Sequence, residues 1–347
     1  MRIAAVLALL AGFALLVGLV VSFDTEQVAT LMVDAGPALV LVLIAHQVSV
    51  AANAIAWQRL LAGIAIPRPL WRLFWLRWLA DSINALLPVA SIGGEVVRGQ
   101  LLARTGVGQA AAGGSVIADL TLGLVSLALF VVGGVVLFIC RDLLLSTAST
   151  AALPTVALTG AGTAVLALVT LAVVAYRLQR GGFFLRLAHL LEHHAGGPAW
   201  QRMAGGARAL DEALECLYGQ RRAVVSGLAW RLAGWVLGAV EVWVALSVLG
   251  RPVTLVDALI LESLGQVVRN AGFAVPGAIG IQEGGFVVIG GWIGLAPEAA
   301  LAAGLMKRLR DLTLGIPALC LWQAGEGWLL IGCRRSPAAS LPERGDA

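Results

Sequence analysis

Glu95 and Arg98 stand three residues apart in a largely apolar stretch, and Arg308 stands three residues before Asp311 in another. Carboxylates and guanidinium groups in such surroundings fix helix register as ion pairs, hold a charged or polar headgroup inside a membrane, or act there as acid and base on a substrate. Thirteen ionisable residues share this setting: Asp81, Glu95, Arg98, Asp119, Arg231, Glu241, Glu262, Arg269, Glu283, Lys307, Arg308, Arg310 and Asp311. Each costs about 2.5–3.5 kcal/mol at the centre of a membrane helix. Facing lipid together, they would outweigh a fold stability of about 5–15 kcal/mol. They must pair inside the protein, and seven acids against six bases suit a nearly neutral network. Residues three or four apart share a helix face, so Glu95–Arg98, Arg308–Asp311 and Lys307–Asp311 are the expected pairs. Such a network either fixes helix register or lines a partly hydrated cavity.

The elements that position these charges read as membrane helices. The chain has 347 residues, 59% of them hydrophobic and only 13% charged, and its mean hydropathy is +0.90. A soluble domain carries about 25% charged residues. Six apolar runs are long enough to cross a bilayer, at residues 3–23, 37–57, 110–139, 151–176, 223–249 and 311–331. The first is longer than a signal-peptide core and lacks a small-residue cleavage site, so it is expected to be a retained anchor. Of the 24 basic residues Lys307 is the only lysine. Arginine gathers after the second run, in 177–222 and in the tail, and is sparse in 24–36, 140–150 and 250–256. The positive-inside rule then puts both termini in the cytoplasm of a multi-pass inner-membrane protein. No basic face on a soluble domain is present, so no nucleic-acid partner is expected.

Two further apolar stretches, 71–104 and 256–295, are interrupted by LLPVASIGGEVVRG and AVPGAIGIQEGG. Proline ends the preceding helix and starts the next, so each stretch is expected to be a re-entrant hairpin of two short helices. Their prolines align them. Glu95 follows Pro88 by seven residues, as Glu283 follows Pro276, and Gly106 and Gly294 each follow by eighteen. The pentapeptide DLTLG then recurs at Asp119 and Asp311, 31 and 35 residues after its proline, which implies one short insertion. Three crossings between the hairpins make the second enter from the opposite side. The expected fold is therefore an all-α polytopic membrane protein, about six full spans plus two re-entrant hairpins in an inverted-topology repeat. One domain covers 1–331, with halves at about 37–139 and 223–331, an amphipathic cytosolic arm at 177–222, and a disordered tail at 332–347. First-turn N–H groups after Pro88 and Pro276 would offer anion-friendly ends to the middle of the bilayer.

Other signals point away from catalysis. Cys140, Cys216, Cys320 and Cys333 lack metal or redox spacing. His189, Glu192 and His193 match an HxxEH pattern, but without a third ligand they read as an amphipathic surface helix. His46 is expected to be a satisfied polar contact, and Trp71, Trp75 and Trp78 an interfacial anchor. No phosphate loop, Ser/His/Asp set or CxxC pair occurs, so neither enzyme activity, cofactor nor metal is expected. An acid–base pair of Glu95 and Glu283 is the residual enzymatic reading.

These motifs resemble the membrane domain of the lysylphosphatidylglycerol synthase/flippase family. Pro88, Gly94, Glu95 and Arg98 look like its P-x-x-x-G-E-x-x-R hairpin. Pro276, Gly277, Gly280 and Glu283 look like its P-G-x-x-G-x-x-E hairpin, followed by Arg308. The wording VPGAIGIQEGG and MKRLRDLTLGIPALCLWQ is similar to the hopanoid-biosynthesis-associated (HpnL-type) branch. Val116 departs from the family, which often has Arg there, and the C-terminal aminoacyl-transferase domain is not seen. The resemblance implies flippase-like transport of a membrane lipid, a hopanoid or phospholipid, with Pro88, Gly94, Glu95, Arg98, Asp119, Pro276, Gly277, Gly280, Glu283, Arg308 and Asp311 binding it. The alternative is a non-transporting scaffold for lipid-biosynthetic enzymes, contacting them through the arm. Either reading is compatible with a homo-oligomer.

Overall fold

A computed structural model describes residues 2–23, 25–63, 68–87, 92–145, 155–192, 198–272 and 275–334. Every regular element among them is helical: α1 (Arg2–Ser22), α2 (Thr25–Ala35), α3 (Leu39–Leu61), α4 (Leu70–Leu86), α5 (Gly93–Arg104), α6 (Gln109–Leu145), α7 (Thr155–Arg180), α8 (Phe183–Glu192), α9 (Pro198–Gly219), α10 (Arg221–Val248), α11 (Leu255–Ala271), α12 (Ile281–Trp292) and α13 (Pro297–Arg334). Three runs are long and apolar enough to cross a membrane: Thr25–Leu61, Gln109–Arg141 and Arg221–Val248. The end of α7 and α8 make a fourth candidate, bent by 75° at Gly181–Gly182. The chain is thus a polytopic membrane protein. The tail expected at 332–347 lies outside the described residues beyond Arg334.

One expected loop is helical. Residues 24–36 look external by charge, yet Thr25–Ala35 forms α2 and passes through a 3₁₀ turn at Gly36–Ala38 into α3. Val28, Leu31, Met32 and Ala35 recur at helical spacing, and Val28 and Ala35 are buried against α11 and α13 residues in the core. Apolar periodicity outweighed the charge count.

The Pro/Gly-interrupted stretches fold as pairs of short helices, α4–α5 and α11–α12. Residues 88–91, including Pro88, lie outside the described residues. The elements correspond one for one. α4 and α11 have 17 residues each, and α5 and α12 have 12 each. α6 and α13 have 37 and 38. α5 and α12 each stop at a glycine turned left-handed, Gly106 at φ 86° and Gly294 at φ 82°, where a Cβ would be strained.

The expected insertion does not exist as a loop. Four residues (105–108 and 293–296) connect the short helix to the long one in both halves. Asp119 lies 10 residues after Gln109, whereas Asp311 lies 14 after Pro297. The second DLTLG is set about one helical turn further along its helix.

The centre of the molecule is the α3–α10 pair, which meets through small residues. Ser49 donates to the Gly234 carbonyl at 2.8 Å, and Ala52, Ala54, Ala56 and Ala239 are buried. Small residues let helix backbones approach closely where lipid offers no hydrophobic drive. α4, α6, α11 and α13 pack around this pair and carry the ionisable side chains inward.

Candidate functional site

The buried charges form two groups. In the first, Asp119 on α6 accepts from Arg98 Nη2 of α5 at 2.7 Å and from Arg77 Nη1 of α4 at 2.9 Å. Arg231 Nε of α10 lies 3.7 Å away. Arg98 is clamped further: its Nε meets Glu95 Oε2 at 2.5 Å and its guanidinium lies 4.6 Å from the centre of the Trp57 ring. Arg77 also pairs with Asp81 at 3.3 Å, and Arg231 donates to Asn53 Oδ1 at 3.0 Å. Four helices meet at one fully buried carboxylate, and α3 joins them through Trp57 and Asn53.

The second group spreads along α13. Lys307 Nζ meets Glu262 Oε2 of α11 at 2.5 Å, and Gln266 donates to the other oxygen at 2.7 Å. Arg308 donates twice to Glu283 Oε1 of α12, at 3.1 and 3.0 Å, and once to the Gly277 carbonyl at 2.9 Å. Arg310 bridges Asp311, at 2.5 Å, and Glu241 of α10. Glu241 also pairs with His46 Nδ1 of α3 at 2.9 Å.

Local sequence explains several of these positions. Asp119 and Gly123 of the first DLTLG lie one turn apart. The Asp receives guanidinium groups, and a Cβ on Gly123 would sit 2.2 Å from Arg231 Nη2. The second copy repeats the logic: Asp311 receives Arg310, and a Cβ on Gly315 would meet Leu86 at 2.6 Å. Gly94 allows α5 to start against α4, since a Cβ there would lie 2.1 Å from the Ala80 carbonyl. The VPGAIG turn needs positive φ at Gly277 (64°) and Gly280 (77°). There Glu283 accepts the Gly280 N–H at 2.8 Å. The start of α12, expected to be open to an anion, is filled by the protein's own carboxylate.

A polar cavity of about 370 Å³ opens between the two groups. Among the expected site residues, Glu95, Gly277 and Asp311 line it. Gly94, Arg98, Asp119, Gly280, Glu283 and Arg308 do not; they hold the helices that do. Pro276 opens the 3₁₀ turn beside the cavity. Glu95 and Glu283, the residual acid–base pair, are not brought together on this wall. Arg308 and Lys307 do not pair with Asp311 as expected. The reason is that Glu283 and Glu262 on neighbouring helices would otherwise be buried and unpaired, at a cost of several kcal/mol each. Arg310, adjacent in sequence, takes Asp311 instead.

Sequence reasoning missed Arg77, whose place among Trp71, Trp75 and Trp78 suggested an interfacial anchor. Trp71 is exposed and stacks with Arg72, as an anchor would. Trp78 lines the cavity and packs edge-on against Trp75. The signal available was the i, i+4 pair Arg77–Asp81. His46 is satisfied, as expected, by an acid that also lines the cavity. His189 lies on α8, and His193 falls outside the described residues.

Residues 3–318 match the family described as lysylphosphatidylglycerol synthase TM region. The chain belongs to this family. Membership gives it a multi-pass membrane location and a role related to membrane lipids. No curated protein and no solved structure matches the chain.

Proposed function

We propose that this family member moves a polar-headed lipid, a phospholipid or hopanoid, between the leaflets of a bacterial inner membrane. The observation that carries the reading is the cavity: a polar chamber of about 370 Å³ walled by Arg77, Glu95, Arg231, Glu241, Arg310 and Asp311 inside a largely apolar helix bundle. Buried charge of this density within membrane helices marks a substrate path in most proteins that have it. The element-by-element correspondence of α4–α6 with α11–α13 supports an inverted repeat with six spans and two re-entrant hairpins, both termini cytoplasmic. Such a repeat builds a site at the bilayer midplane and exposes it alternately to each side. Asp119 and Glu283 anchor the two hairpins that would rock, and Glu95 and Asp311 face the headgroup.

The test is leaflet exchange of labelled phospholipid and labelled hopanoid in liposomes containing the purified protein. Exchange above that of empty liposomes for either lipid is expected. Rates equal to empty liposomes for both would overturn the reading.

A further inference from the structure

His46 sits near the middle of the apolar run Thr25–Leu61, where its side chain lines the polar cavity and is 23% exposed. The chain has four histidines, and the other three, at 189, 193 and 194, all fall in the arm. His46 Nδ1 lies 2.9 Å from Glu241 Oε2, and Arg310 takes Oε1 of the same carboxylate. An ionised carboxylate only accepts hydrogen bonds, so the hydrogen of a neutral His46 ring stands on Nδ1. Nε2 is then the nitrogen that can take up and yield a proton.

The charged neighbours are already committed to one another. On α4, Arg77 holds Asp81 and also Asp119 of α6, which Arg231 of α10 approaches. On α13, Arg310 holds Glu241 and Asp311, and Lys307 is buried against Glu262 at 2.5 Å. Arg269 of α11 borders the cavity and acts on Asp311 through space, as His46 itself does. In all, five carboxylates and five Arg or Lys side chains line the cavity. The charges just behind the wall, Asp119 and Glu283 against Arg98 and Arg308, leave the count even. Arginine stays protonated throughout the physiological range. His46 therefore sets the charge of the chamber: zero with a neutral ring, one positive with Nε2 protonated. A net charge of either sign is costly inside a helix bundle. An anion entering the neutral chamber and a proton entering the empty one each need the other.

We propose that His46 is a proton-binding site that couples the cavity to a proton. One proton goes onto Nε2 with each singly anionic headgroup that enters, and leaves with it. The proton comes from water on the side to which the cavity is open and returns to water on the other. Movement is then electroneutral, and a pH difference drives it whereas a voltage does not. The proposal rests on the lipid-transport reading and adds its driving force.

The experiment uses phosphatidylcholine proteoliposomes carrying a trace of labelled phosphatidylglycerol, under a pH difference of one unit, with empty liposomes as background. One proton per lipid should enrich the label about tenfold in the leaflet facing the alkaline side. Labelled phosphatidylcholine, which is zwitterionic, should stay evenly distributed. His46→Gln still donates to Glu241 but takes no proton, so whatever exchange it retains should end even. A second readout needs no transport. In weakly buffered, mildly alkaline detergent, the purified chain should draw about one proton on binding phosphatidylglycerol and none with phosphatidylcholine. His46→Gln should draw none, and a chain carrying His189→Asn, His193→Asn and His194→Asn should draw as much as the wild type. Wild-type exchange that ends even under the gradient removes the coupling and leaves transport standing. Proton uptake without exchange above empty liposomes removes transport and leaves the site. Uptake that persists in His46→Gln, or that is missing from the wild type or the triple variant, overturns the proposal.

Discussion

The two DLTLG aspartates should differ sharply when each is neutralised. Asp119→Asn removes the only carboxylate among the described residues that Arg77 Nη1 and Arg98 Nη2 share, at 2.9 and 2.7 Å, and the aspartate itself has no exposure. Breaking a buried ion pair by removing one partner costs about 3–5 kcal/mol. Here three guanidinium groups lose one anion, so the upper part of that range is expected. Asp311→Asn keeps an oxygen for Arg310, and Arg310 keeps Glu241. The loss is then close to one weakened hydrogen bond, about 1 kcal/mol. The difference of about 2–4 kcal/mol corresponds to a factor of roughly 30 to 1,000 in the unfolding equilibrium. Titrating denaturing detergent into the purified variants, with helicity followed by circular dichroism, measures it. Arg231→Gln added to Asp119→Asn should recover part of the loss, because one stranded cation goes. If Asp311→Asn proved as damaging as Asp119→Asn, or Asp119→Asn were neutral, the division into a structural and a cavity-facing aspartate would be refuted.

Two further outcomes follow from the same geometry. Arg308→Lys keeps the charge but cannot donate together to Glu283 and the Gly277 carbonyl, so the turn before α12 loosens. Leaflet exchange should fall about tenfold, and exchange at the wild-type rate would show that the turn is held by other means. The arm is part of the bundle: Leu214, Leu217 and Tyr218 are buried against Leu60, Ala118 and Leu122, and Tyr218 donates to Gln179, which bonds Thr121 of the first DLTLG. Deleting 183–219 should therefore lower stability, by about 3 kcal/mol or more for three large buried side chains, in the same detergent titration. An unchanged midpoint would mean the arm is peripheral and free to serve a partner.

Composition and spacing by themselves determined the class of protein, and they anticipated a pair of short helices around each Pro/Gly break. Those features depend on local chemistry. Long apolar runs form helices, the Pro/Gly breaks part α4 from α5 and α11 from α12 although Pro317 sits within α13, and the positive φ at 106 and 294 favours glycine. The i, i+3 pair Glu95–Arg98 was legible for the same reason, since both residues lie on one short helix. Only the tertiary structure decided which charges meet across helices. Arg308 passes over Asp311 for Glu283, and Lys307 passes over it for Glu262, because each of those buried carboxylates has no other ion-pair partner among the described residues. Nor does spacing along the chain reveal which cation takes which carboxylate. Arg269 is the single cation of α11, yet Glu262 on the same helix pairs with Lys307 of α13 and Asp311 pairs with Arg310. That outcome depends on how the helices pack around the cavity.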